Sequence, residues 1–103
     1  ITFCPWNTNI NDVPNSDVIF GHFEIETFKM NSYKVCEEGL KIKDLLKKSN
    51  LIISGHFHTR HNKKFAKGTI LYTGNPFQMD FGDVNNQKGY YILDLDTYKD
   101  ISQ

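Results

Sequence analysis

Two stretches built on one plan constrain the fold more than anything else in the chain. Leu51-Ile52-Ile53-Ser54-Gly55-His56-Phe57-His58 is an apolar run that reaches a glycine and continues into two imidazoles one residue apart. Upstream, Val18-Ile19-Phe20-Gly21-His22-Phe23 has the same order: aliphatic, glycine, histidine, phenylalanine. Short aliphatic runs bounded by glycine read as strands buried on both faces, the kind found in parallel or mixed sheets. The glycine permits a turn or a close approach that a side chain would block. In extended or turn backbone, residues two apart point the same way, so His56 and His58 are expected to converge. Ligands of open α/β sheets bind at the carboxyl ends of the strands, and neutral imidazole is the commonest metal ligand. His22, His56 and His58 are therefore candidate metal ligands. The competing interpretation is three polar residues in loops that follow strands.

The rest of the chain supplies the elements such a sheet needs. Ile1-Thr2-Phe3-Cys4 reads as a short strand stopped by Pro5, and residues 6–16, rich in asparagine, read as a loop. A second strand runs from Asp17 to Gly21 with His22 at its mouth. No period governs Phe23 to Tyr33, where Glu24 and Glu26 read as exposed carboxylates rather than ligands. Leu40 to Lys48 is the best helix: Ile42, Leu45 and Leu46 share one face and lysines the other. Glu37 and Glu38 before it and Lys47 and Lys48 at its end follow the polarity the helix dipole favours. A helix leading directly into the strand at Leu51 is an α/β unit. Lys63–Ala66 and Thr69–Tyr72, joined at Lys67-Gly68, read as a hairpin. Gly74-Asn75-Pro76 breaks the chain, and the residues from Gly89 to Leu95 resume a strand with Tyr91, Leu93 and Leu95 on one face. His61 is expected at the surface.

A chain of 103 residues suits one domain spanning 1–103. Its 12 basic and 12 acidic residues cancel, which argues against a protein held on nucleic acid by bulk charge. Arg60, His61, Lys63, Lys64 and Lys67 nevertheless cluster just after the histidine pair, either as a phosphate-attracting patch or as a solvated hairpin. Cys4 and Cys36 lack a CxxC spacing and read as free thiols of a reducing compartment. No apolar run has the length of a membrane span. The chain starts at Ile1, and the expectation is a piece of something longer.

Gly21-His22, Gly55-His56-Phe57-His58, Tyr72-Thr73-Gly74-Asn75-Pro76-Phe77-Gln78 and Lys88-Gly89-Tyr90-Tyr91-Ile92-Leu93-Asp94 together carry a resemblance. The chain resembles the C-terminal half of the catalytic domain of calcineurin-like metallophosphoesterases, and within them the SbcD-type nuclease subunit in its phage recombination-endonuclease version. The resemblance implies an α/β fold: half of an α/β/β/α sandwich, a mixed sheet with one main helix. It implies two divalent ions, typically Mn2+, with His22 holding one and His56 and His58 one each. Arg60 and Asn75 would lie beside the substrate. It further implies a DNA nuclease of recombination and double-strand-break repair in the cytoplasm, host cytoplasm if phage-encoded. The partners implied are DNA, an SMC-like ATPase subunit of the SbcC type, and a second copy in a homodimer. No membrane partner is implied.

The departures bear on activity. Asp-x-His, Gly-Asp-x-x-Asp and Gly-Asn-His-Asp/Glu motifs, which the family uses for its remaining ligands and acid, do not occur here. The expectation is that these 103 residues alone cleave nothing or almost nothing. The alternatives are a non-catalytic protein- or DNA-binding module derived from such an enzyme, or a metallophosphoesterase with a non-DNA substrate. A zinc site from Cys36 and the histidines fits no usual zinc module. A His-x-His-x-His hydrolase fails because Arg60 stands where the third histidine would be.

Overall fold

Short apolar runs place side chains on both faces of one sheet. The computed structural model describes residues 1–30, 34–74 and 89–97, and the backbone of 99–100. Strands β1 (Thr2–Cys4), β2 (Ile19–His22), β3 (Leu51–Gly55), β4 (His61–Phe65) and β5 (Gly68–Tyr72) form one sheet in the order β1-β2-β3-β5-β4. The pairs β1–β2, β2–β3 and β3–β5 are parallel, and β4 closes one edge antiparallel to β5. A two-stranded ribbon of β6 (Leu93–Asp94) and β7 (Lys99–Asp100) stands apart from this sheet. The mixed five-stranded sheet, with one short α-helix among the described residues, is the α/β fold expected from the sequence.

Helix α1 (Ile42–Leu46) is shorter than the periodic stretch. The reason lies just before it. Leu40 donates its N–H to Glu24 O at 2.8 Å and accepts from Glu26 N–H at 3.1 Å, so it is extended and paired, not helical. Leu45 and Leu46 are buried as their spacing requires and pack with Ile19, Ile52 and Ile70 on one face of the sheet. Phe23, Ile25, Phe28, Phe57 and Tyr72 extend that core. Successive strand residues point to opposite faces, and Val18, Ile53 and Leu71 therefore form a second, smaller cluster, lined by Phe20, Leu51, Tyr91 and Leu93. This second face is only partly covered: Phe3, stacked on Phe20 at 5.2 Å, is 74% exposed.

Residues 23–30, in the stretch where the sequence shows no period, and residues 34–40 are ordered by tertiary pairing. Met30 N–H bonds to Lys34 O and Cys36 N–H to Phe28 O, and Phe28 is fully buried. Residues 6–16 form the expected loop, with one 3-10 turn at Ile10–Asp12 capped by the Asn9 side chain. Cys4 and Cys36 are both free and buried.

Candidate metal-binding and active site

The parallel register brings the two Gly-His ends side by side. Gly21 pairs with Ser54 and His22 with Gly55, so the imidazoles leave neighbouring strands at the same carboxyl edge of the sheet. Both glycines make room. A β-carbon on Gly21 would lie 2.2 Å from the Phe23 ring, which folds back over it into the core. One on Gly55 would meet His22 Nδ1 at 3.3 Å. The two phenylalanines of the repeated motif are buried, and their anchorage leaves the adjacent histidines to face outward.

His56 Nδ1 lies 3.1 Å from His22 Nε2, and His56 Nε2 lies 3.0 Å from Glu24 Oε1. Glu24 is thus no idle surface carboxylate. Accepting from His56 Nε2–H, it leaves the Nδ1 lone pair of that ring directed at His22, the way a carboxylate behind a ligating histidine sets its tautomer. His56 adopts a φ of 89°, a left-handed conformation uncommon outside glycine, and such strain tends to persist where surrounding structure holds it. The ring that faces His56 Nδ1 is that of His22 on the neighbouring strand. His58 is half-buried, and its main-chain N–H bonds to Met30 O at 3.1 Å.

Partial desolvation, with the charge of nearby His56 second, holds His22 below the ordinary imidazole pKa. The neutral form so favoured is the one that ligates a metal. The two facing nitrogens fit as two members of a ligand set, the proton between them giving way to a cation. They do not complete one: among the described residues no group of three or more His, Cys, Asp or Glu side chains is placed to hold a metal ion.

The floor of the site is a buried polar network that the sequence reading missed. The Tyr72 hydroxyl donates to Phe23 O and accepts from Ile25 N–H at 3.1 Å, while Ser54 Oγ accepts from Phe23 N–H at 2.9 Å. Burial pushes the Tyr72 phenol far above its usual range, so it stays a donor. These bonds tie the chain after β2 across the ends of β3 and β5, and so fix where His22 and Glu24 emerge. Trp6 was missed as well. Its indole lies over His56, with centroids 4.6 Å apart, and edge-on to His22 at 5.8 Å.

Arg60 lies on the other side of the sheet edge, donating from Nε to the Tyr91 hydroxyl at 3.1 Å with its guanidinium over that ring. Asn75 falls outside the described residues. His61, expected at the surface, is half-buried, edge-on to Phe28 at 5.1 Å. A groove of about 580 Å³ opens at the opposite, amino-terminal ends of the strands, between Asp17, Lys48 and Asn50, away from every histidine.

Compared with known proteins, the chain is 30% identical over 105 residues to "Exonuclease subunit 1" of Enterobacteria phage T4. The alignment covers 94% of this chain and 29% of that protein, so the chain spans under a third of the relative's length. No protein-family model matches the chain, and no solved structure matches it. The likeness is to part of a phage nuclease-related protein.

Proposed function

We propose that the chain is the histidine-bearing part of a metal-dependent phosphodiesterase that cleaves DNA, of the calcineurin-like, SbcD-type nuclease class. The observation that carries this reading is the 3.1 Å approach of His22 Nε2 to His56 Nδ1 at the carboxyl ends of adjacent parallel strands. The partial match to a phage exonuclease subunit points the same way. In this reading His22, His56 and His58 are the imidazole ligands of two divalent ions, with manganese suited to such a set. Held there, such ions would supply Lewis-acid chemistry for hydrolysis of a phosphodiester. The chain's own contribution is to orient. Glu24 fixes the His56 ring, Tyr72 and Ser54 fix the segment that carries Glu24, and the paired strands fix the separation of the imidazoles.

The remaining ligands would come from outside these 103 residues, and the chain by itself is expected to cleave little or nothing. DNA as substrate, an SMC-like ATPase partner, a homodimer and a setting in the host cytoplasm belong to the same proposal. Among the described residues no helix is long and apolar enough to cross a membrane. The test is His56→Ala in the complete nuclease. Manganese-dependent cleavage is expected to vanish while circular dichroism shows the fold retained; near-normal cleavage would remove His56 from the ligand set.

A further inference from the structure

Trp6 occupies a position that packing alone does not explain. After β1 ends, Pro5 O accepts from both Thr8 N–H at 3.3 Å and the Thr8 hydroxyl at 2.7 Å, and Asn7 takes a φ of 66°. This tight turn lifts Trp6 out of the sheet and sets it against the histidine pair, where the indole remains 48% exposed. Large aromatic side chains contribute most to a core when fully buried. Here the chain's single tryptophan is held half in water beside its most polar cluster. It borders a cleft of about 290 Å³ whose rim is Asn7, Thr8, His22 and Glu24. A flat indole face above a cleft lined by Phe23 and Leu40, with the Asn7 amide and the Glu24 carboxylate at its border, suits an uncharged heterocyclic base with N–H groups to donate better than an anionic occupant.

We propose that Trp6 is a stacking platform for one unpaired nucleobase of a single-stranded nucleic acid bound beside the His22–His56 pair. The proposal rests on the phosphodiesterase reading of that histidine pair and adds to it how the strand is held. Net charge points the same way. With 12 basic and 12 acidic residues the chain has no excess of cations to grip a backbone by charge alone. Proteins that bind single strands regardless of sequence combine backbone contacts with aromatic platforms, because every base has a π-face to offer. Indole and imidazoles are in direct ring contact, so a base stacked on the indole lies within one nucleotide's reach of the histidine pair.

The experiment compares two end-labelled strands of equal length by fluorescence anisotropy without divalent metal: oligothymidylate and a fully abasic strand with the same phosphates. Oligothymidylate is expected to bind the full chain about 5- to 150-fold more tightly than the abasic strand, the span of one base–aromatic stack, and to quench the tryptophan emission. Trp6→Ala is expected to bring the two affinities together, and Trp6→Phe to preserve most of the difference. Equal binding of both strands by the unmodified chain overturns the proposal, as does a Trp6→Ala variant that weakens both strands equally, since that describes packing. Failure of the phosphodiesterase reading shows elsewhere, as manganese-dependent cleavage by the complete nuclease that survives His56→Ala whatever the anisotropy reports.

Discussion

His61 shows how one residue's surroundings can oppose its apparent place in the sequence. It sits in a cationic run, yet its ring packs on Phe28, and its Nδ1 is buried without a hydrogen-bond partner among the described residues. Desolvation first, and then the charges of Lys63 and Lys29, hold its pKa below the ordinary 6.5. The unfolded chain therefore takes up the proton at higher pH than the folded one. Stability from this group is intact above the ordinary imidazole range and drains away as pH falls through it. The urea midpoint is expected to drop from neutral pH to about pH 5, and His61→Leu to flatten part of that drop. His22, also held low, acts in the same sense. An unchanged pH slope in His61→Leu would mean that the ring is solvated after all. Glu24 has the same lesson in reverse: a carboxylate on an aperiodic segment meets an imidazole 32 positions away, and local pattern carries no trace of that pairing.

At the scale of elements, the strands were legible because a short apolar run and a bounding glycine are local signals. The hairpin of β4 and β5, the strand leading to His22 and the buried run before His56 all stand within two residues of where the pattern puts them. The helix was legible in kind and in its buried face, but its amino-terminal bound was not, since the bridge between Ile25 and Leu40 takes residues that periodicity assigns to the first turn. The segment 23–30 has no signal of its own because its order comes from Tyr72 and Ser54 beneath it. Tyr72→Phe removes the hydroxyl that satisfies Ile25 N–H and Phe23 O, leaving two buried backbone groups unpaired. A loss of about 1–3 kcal/mol in chemical denaturation is expected. An unaltered midpoint would show that these groups find other partners.

For the whole molecule, the unequal covering of the sheet is the dominant feature. One face is closed by α1 and by residues 23–30 and 34–40. The other leaves Phe3 and Tyr90 more than 70% exposed beside a groove of about 460 Å³ lined by Phe20, Ile53, Leu71 and Leu93. A contiguous apolar surface of this kind is unusual on a soluble monomer. The chain is expected to bind the dye ANS in its native state, and Phe3→Ser to cut that emission by about half or more without lowering the denaturation midpoint. Equal emission from the variant would mean that the face is closed in solution. Period and punctuation in the sequence by themselves determined the α/β class, the buried strands, the helix face and the presence of histidines at two strand mouths, because each depends on neighbours a few residues apart. Only the tertiary structure decided that His56 meets His22 and Glu24, that Trp6 lies over them, and that Tyr72 supports them from below. Those contacts depend on the parallel register and on a left-handed turn at one residue, and they join side chains 30 to 50 positions apart whose meeting no local pattern encodes.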